Sequence, residues 1–279
     1  MIHISAFADE ISLDPREQIA VLQSEDIHFL DLRAAWGTNV LDLSDAQADE
    51  LRRMLRERGV AVSAIASPIG KAPVDSPFDE HLRRFERAIL LAHFFATPYI
   101  RIFSFYPPQA AKSDPAAWRD EVLWRLHEMT ARASAAGITL LHENEKDIYG
   151  DTIVRCVDLL ESINDAHFQA ILDPANFIQC GQIPYPDAYE AMRPWLRYMH
   201  VKDARSDGKV APAGEGLARW PELLQRLRED GYDGFFSLEP HLAAEGKFSG
   251  FSGPELFQQA SQALIVMLRK MGWATSSSE

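Results

Sequence analysis

Four short segments of the chain each end in a side chain that can bind a metal or move a proton: LHENE around Glu143, ILDPAN around Asp173, MHVKD around His200 and SLEPH around Glu239. Each closes a β-like apolar run, and together they supply three carboxylates and one imidazole, a donor set suited to one divalent cation. Such a set favours a hard or borderline ion, Mn²⁺ first, with Mg²⁺, Co²⁺ or Zn²⁺ also accommodated. Four protein ligands leave an octahedral ion two open positions, which adjacent oxygens of a hydroxyketone can fill; the neighbouring C–H is thereby acidified. Two carboxylates on opposite faces of that carbon permit epimerisation or a 1,2-carbonyl shift through an enediolate. Glu143 and Glu239 suit this role as ligand and acid/base at once, because a cation keeps a carboxylate ionised while its second oxygen stays free.

Each residue also has a purely structural explanation. A carboxylate just after a strand is often a helix N-cap, as expected for Asp151 in YGDT and, taken alone, for Asp173. A single histidine in an apolar strand, as His200 is, is ordinarily a hydrogen-bonded core residue. Recurrence over four consecutive strand ends is what capping does not produce.

Further side chains fall near the same ends. Arg33, in DLRAAWG, is expected to reach substrate oxygens, whereas Arg101, early in YIRIFSF, is expected to pair with a barrel carboxylate. Lys202 lies two residues from His200 and therefore on the same side of the strand. It would stabilise an enediolate or, failing that, form a salt bridge to Glu239 or Asp173. His241 is either a further acid/base or a residue of the pocket rim. Trp36, Phe7 and Tyr106 suit the C–H face of a sugar ring, although core packing explains them nearly as well. Lys71 in SPIGK and the glycines of PAGEG could hold a phosphate, a weak signal because glycine-rich loops are common for conformational reasons.

The elements that must position these groups recur along the whole chain. Strand-like runs occupy residues 2–7, 29–34, 61–67, 99–105, 139–145, 169–176, 198–204 and 234–240, and helical periodicity fills about 14–26, 44–58, 78–95, 115–136, 152–163, 186–196, 220–230 and 254–271. Ser44 with Gln47 forms a capping box, Asp14-Pro15 and Asp114-Pro115 mark helix starts, and Gly59 and Gly137 suit left-handed helix ends. Eight strand–helix alternations imply a parallel sheet closed into a single (β/α)₈ TIM barrel over residues 1–274, with 275–279 a disordered tail. The four ligand-capable residues then stand on one rim, at the C-terminal ends of strands five to eight.

Composition limits the partners. The 279 residues carry 41 acidic and 28 basic side chains, a net charge of −13 that repels nucleic-acid backbones. The two cysteines, Cys156 and Cys180, lack metal-type spacing, and neither a signal peptide nor a membrane span is legible. A soluble cytoplasmic protein with a small-molecule carbohydrate substrate, and with no nucleic-acid or membrane partner, is the expectation.

Through HENEKDIYGDT, LDPANF, HVKDA, PAGEG and SLEPHL the chain resembles the sugar phosphate isomerase/epimerase family with the xylose isomerase-like TIM barrel, which also includes tagatose/psicose 3-epimerases, inosose dehydratases and endonuclease IV. The resemblance implies that Glu143, Asp173, His200 and Glu239 bind the metal and that the two glutamates exchange the substrate proton. One position departs from the pattern: the 3-epimerases have a histidine near the substrate three residues after the metal-binding aspartate, where this chain has Asn176. The resulting expectation is a divalent-metal-dependent sugar isomerase or epimerase. The alternative is an inosose-type dehydratase with His241 or Lys202 as the acid. A non-catalytic sugar-binding barrel and an endonuclease IV-like nuclease are weaker readings, and a homo-oligomer is compatible with the resemblance.

Overall fold

The computed structural model describes residues 2–108, 114–243 and 251–273. The proposed tail at 275–279 and parts of two loops, 109–113 and 244–250, lie outside them. Eight strands alternate with helices: β1 (His3–Ala6), β2 (Phe29–Leu32), β3 (Ala61–Ile65), β4 (Tyr99–Ile102), β5 (Thr139–Glu143), β6 (Phe168–Leu172), β7 (Leu196–Val201) and β8 (Phe235–Leu238). All neighbours pair in parallel, in the order β1-β8-β7-β6-β5-β4-β3-β2. This is a nearly closed TIM barrel, as the alternation requires.

The helices are α1 (Pro15–Ser24), α2 (Asp45–Glu57), α3 (Phe78–Phe94), α4 (Arg119–Ala135), α5 (Ile153–Ile163), α6 (Pro174–Gln179), α7 (Tyr189–Met192), α8 (Trp220–Glu229) and α9 (Pro254–Lys270). Their apolar stripes pack on the outside of the barrel. In α3, Phe78, Leu82, Phe85, Ala88, Leu91 and Ala92 are buried, and in α8 Trp220, Leu223, Leu224 and Leu227, both at helical spacing. The capping box at Ser44 and Gln47 forms, and Asp14 accepts the Arg16 N–H at the start of α1. Gly59 and Gly137 adopt φ of 65° and 69°. None of the described helices is long and apolar enough to cross a membrane.

Several expectations need correction. The helix expected over 186–196 is a broken segment: a π turn, the short α7 and a 3-10 turn at Arg193–Trp195. Pro184, Pro186 and Pro194 account for this, since each removes an N–H donor. Asp114 precedes only a 3-10 turn and makes no capping bond; α4 begins after Trp118. Asp151 is not the N-cap of α5. Thr152 holds that position, and Asp151 instead pairs with Arg155 one turn on.

Alternation along the strands stacks the barrel interior in layers. His3, Phe29, Tyr99 and Phe235 close the N-terminal end with ring contacts of 5.2 to 6.4 Å. Above them Asp31 accepts hydrogen bonds from Ser5 (2.6 Å), Tyr198 (2.9 Å), Ser63 (3.3 Å) and Ser237. Ser5 on β1 and Asp31 on β2 thus join the strands at the two ends of the sheet order through side chains. The third layer holds Arg101, Glu143, His200 and Glu239, all buried. Replacing Asp31 with alanine strands several buried hydroxyls, so Asp31→Ala is expected to lose roughly 3 kcal/mol of stability in urea titrations. Ser63→Ala, which removes one donor from a shared acceptor, is expected to cost only about 1 kcal/mol.

Candidate metal centre

The third layer is built from strand ends. Glu143 is the last residue of β5, His200 lies near the end of β7, and Glu239 follows β8. Asp173 follows β6 and is also the N-cap of α6, its Oδ1 accepting the Asn176 N–H at 2.9 Å. Capping and cluster membership coexist there because the carboxylate has two oxygens: Oδ2 turns to Lys202 Nζ at 2.7 Å. One donor atom from each of Glu143, Asp173, His200 and Glu239 lies within 4.8 Å of the others, and all four residues are buried. His200 Nδ1 is 3.3 Å from Glu143 Oε1 and 3.2 Å from Glu239 Oε2.

Cations surround the cluster. Arg101 NH1 donates to Glu143 Oε2 at 3.0 Å, the carboxylate pairing expected for it, and lies 3.9 Å from Glu239. Arg33 also pairs with carboxylates, at 2.7 Å to Asp9 and 3.2 Å to Glu239. Lys202, beside His200 as the strand alternation requires, reaches Glu239 Oε2 at 3.2 Å as well as Asp173. Both guanidinium groups stand over the Phe7 ring, whose edge meets His200 at a centroid distance of 5.1 Å.

Two residues of this network were not singled out from the sequence: Asp9 and Glu10, in the 3-10 turn after β1. Their signal was available as a pair of acidic residues following the first strand on the face where the other strand ends converge. Glu10 is fully buried and meets His241 Nε2 at 3.0 Å, and that nitrogen lies 3.4 Å from Glu239.

The remaining predicted residues are spread around the cluster. Asn176 donates to Glu143 Oε1 (3.2 Å) and to the Asn144 carbonyl (2.9 Å). Lys71 pairs with Glu145 at 2.9 Å and covers the Phe103 ring. Tyr106 is partly exposed near Glu145 and Asp147, whose charges, after desolvation, raise its pKa. Trp36 is half-buried at the tip of the hairpin formed by Ala34–Ala35 and Thr38–Asn39, with φ of 52°. In the PAGEG loop the N–H groups of Gly214, Gly216 and Ala218 converge on Asp203, so this nest already holds a carboxylate. A Cβ on Gly216 would come within 2.2 Å of Asp203 Oδ1, which is why glycine is needed there.

The electrostatics follow from burial opposed by close charges. Burial disfavours ionised Glu143, yet His200 and Arg101 override it and hold its pKa at about 2. Glu239 is held well below the carboxylate range by Lys202 and His241 against the same penalty. His200 is driven well above 6.5 by Glu143 and the other carboxylates, and His241 to about 9 by Glu10 and Glu239, both despite burial. Away from the cluster, burial lowers His81 and His142 to about 4.

Linkage fixes the pH dependence of chelator-treated protein. Below pH 6.5 unfolded His81 and His142 take up protons that the folded rings refuse until about pH 4, so stability falls on acidification. Glu143 extends the fall as pH drops from 4.5 towards 2. Above pH 6.5 folded His200 and His241 retain protons that the unfolded chain releases, so stability also falls towards pH 9. The urea midpoint is therefore expected to peak near pH 6.5. A midpoint rising steadily from pH 6.5 to 9 would contradict the charged state of the two imidazoles.

Comparison with known proteins agrees with this architecture. Residues 26–265 match the family model described as xylose isomerase-like TIM barrel. D-psicose 3-epimerase of Enterocloster bolteae is 23% identical over 238 residues, which span 78% of this chain and 77% of that protein. Among solved structures, a D-tagatose 3-epimerase-like protein superposes with a TM-score of 0.79 at 17% identity, covering 97% of this chain and 98% of the other. The probable 3-DHS dehydratase AsbF of Bacillus anthracis gives 0.73 at 18% identity, covering 95% and 99%. The chain belongs to the xylose isomerase-like TIM barrel family.

Proposed function

We propose that this chain is a divalent-metal-dependent enzyme that moves a proton at the carbon beside the carbonyl of an uncharged keto-sugar or related polyol, interconverting isomers or epimers. The observation that carries the reading is the buried convergence of Glu143, Asp173, His200 and Glu239. The donor set fits a cation: three carboxylates and one imidazole converge in a buried site, with His200 Nδ1 3.2 Å from Glu239, 3.3 Å from Glu143 and 3.8 Å from Asp173. The charges fit as well. Five carboxylates, Asp9, Glu10, Glu143, Asp173 and Glu239, oppose three fixed cations, Arg33, Arg101 and Lys202, an excess of negative charge that a divalent ion, with Mn²⁺ the first choice for this donor set, would offset. At the rim Lys71, the cation placed to meet a phosphate, is already paired with Glu145, which suits an uncharged sugar.

A bound divalent ion would polarise the substrate carbonyl and acidify the adjacent C–H. The chain's own groups then handle the proton. Glu143 and Glu239 come from β5 and β8, two strands apart on either side of β6 and β7, and so approach a substrate from different sides. Arg101 and Asn176 fix the Glu143 carboxylate, while Arg33 and Lys202 fix Glu239. Lys202 also provides a buried positive charge for the developing enediolate oxygen. The commitment of Asn176 to Glu143 and Asn144 supports a substrate different from that of 3-epimerases with histidine at this position.

Deuterium wash-in tests the reading. With Mn²⁺ in D₂O, protein incubated with D-psicose, D-tagatose and a panel of keto-sugars is expected to place deuterium on a carbon next to the carbonyl of at least one, followed by NMR. Glu143→Gln and Glu239→Gln are each expected to slow exchange by at least about 100-fold. Full exchange in either variant would remove that residue from the proton-transfer role. Because His200 must lose its proton to ligate, metal uptake is expected to release protons and to tighten as pH rises. Calorimetry in buffers of different ionisation enthalpy measures this; titration heats independent of buffer would rule out His200 as a ligand.

A further inference from the structure

Phe7 is fully buried at the rim, with 0% of its surface exposed, so its ring offers no face to a sugar. Its surroundings are cationic. The guanidinium carbons of Arg33 and Arg101 stand 4.8 and 5.0 Å from its ring centroid, and the His200 imidazole lies 5.1 Å away and nearly perpendicular. Arg101 also stands 4.9 Å from the Phe103 ring, which Lys71 Nζ covers at 4.3 Å. The ends of β1 to β4 and the loops after them thus supply a row of three cations and two rings, Arg33, Phe7, Arg101, Phe103 and Lys71, that completes the rim begun by the ligand-capable ends of β5 to β8.

An aromatic ring attracts a cation to its face through its quadrupole, most strongly where water is excluded. Arg101 meets that condition, being 5% exposed beside two rings that are each 0% exposed. Its NH1 donates to Glu143 Oε2 at 3.0 Å and its NH2 to the Ala66 carbonyl at 3.1 Å, while its Nε–H is buried with no hydrogen-bond acceptor. The rings therefore offset a desolvation that oxygen acceptors leave incomplete. Arg33 NH1 reaches Glu239 Oε1 at 3.2 Å while its guanidinium stands over Phe7. Phe7 is itself fixed, because its N–H donates at 3.0 Å to the carbonyl of Leu238, the residue before Glu239.

We propose that Phe7 is a positioning residue for the proton transfer, its ring holding Arg101 against Glu143 and Arg33 against Glu239 so that each glutamate keeps its second oxygen facing the centre of the cluster. The inference rests on the proposed acid/base role of the two glutamates. Each guanidinium takes one oxygen, Glu143 Oε2 or Glu239 Oε1, and the oxygens that remain are the two lying 3.3 and 3.2 Å from His200 Nδ1. Without the ring both guanidiniums gain freedom and the carboxylates turn with them; a displacement of about 1 Å is enough to slow a reaction by about 100-fold. Phe7 thus serves the site from behind its cations and not as a platform for the sugar ring.

The test replaces Phe7 in the full-length protein with 4-fluoro-, 3,5-difluoro- and 3,4,5-trifluorophenylalanine, which drain negative charge from the ring face at almost constant shape. With Mn²⁺ in D₂O, exchange into D-psicose, D-tagatose and the rest of the keto-sugar panel is followed by NMR over a range of sugar concentrations, and metal content and urea midpoint are measured for every variant. For the sugar that exchanges, the maximal rate is expected to fall with each added fluorine, reaching about 10-fold for the trifluoro ring, the scale of a desolvated cation–π contact. The half-saturating concentration is expected to stay unchanged, because the ring touches no substrate. The same series at Phe85, buried in α3 outside the barrel, is expected to leave both quantities unchanged. In Mg²⁺-loaded protein without sugar, the Arg101 Nε–H is expected to exchange with solvent faster as fluorine is added at Phe7. A maximal rate or an Arg101 N–H exchange indifferent to fluorine makes the ring simple packing and overturns the inference. So does a rise in the half-saturating concentration alone, the mark of a ring that touches sugar. Each of these results leaves the proton-transfer reading standing. Absence of exchange in the unmodified protein with every sugar of the panel overturns that reading, and the role of Phe7 with it.

Discussion

The constraint on which the rest of the structure depends is the burial of negative charge at the C-terminal mouth of the barrel. An unpaired carboxylate removed from water carries a penalty of several kcal/mol, and here Glu10, Glu143, Asp173 and Glu239 are all at most 3% exposed. No single pairing relieves it. Arg33 divides its charge among Asp9, Glu10 and Glu239, Arg101 serves Glu143 and Glu239, and Lys202 serves Asp173 and Glu239. Glu239 is the shared member. Its Oε2 faces Lys202 and His200 while its Oε1 faces Arg33, Arg101 and His241. A change at one of these side chains therefore redistributes charge over the whole rim.

The scaffold around this network leaves its members little freedom. Asn144 bridges β5 to the residue after β6 in both directions, donating to the Asp173 carbonyl and accepting the Asp173 N–H, each at 2.9 Å. Asn176 then ties α6 back to Glu143. Asp203, next to Lys202, gathers the backbone of the 213–218 loop, and Glu10 gathers both stems of the loop after β8. Beneath them Asp31 and its hydroxyl donors tie five strands together. Ionised side chains keep a fixed geometry only when their neighbours are fixed in turn.

Much of this arrangement is legible in the sequence, because strand alternation is a strong rule. It separates Glu143 from His142, which points away from the cluster into a buried pocket against Gly150, and it groups Lys202 with His200. The (β/α)₈ order follows from eight repeats of one pattern. What sequence did not resolve are features set by tertiary contact. Asp9 and Glu10 lie beyond a strand, in a 3-10 turn with no periodicity, and only the return of β8 beside β1 brings them to Glu239 and His241. Arg33 and Arg101 differ in their positions along the strands, yet both pair with carboxylates of the rim, Arg101 with one on the adjacent strand. Asp151 had the sequence of a cap but lies opposite Arg155 one helical turn away.

The same network ties the two ends of the chain to one another. Glu10, in the turn after β1, accepts the His241 backbone N–H and faces the His241 ring at 3.0 Å, and the parallel pairing of β1 with β8 brings the two residues together. The same ring nitrogen lies 3.4 Å from Glu239, so Glu10 and Glu239 share one imidazole as they share the Arg33 guanidinium. Removing the Glu10 carboxylate would therefore alter the charge facing Glu239 without touching Glu143, Asp173 or His200, because the coupling runs through groups that both glutamates hold.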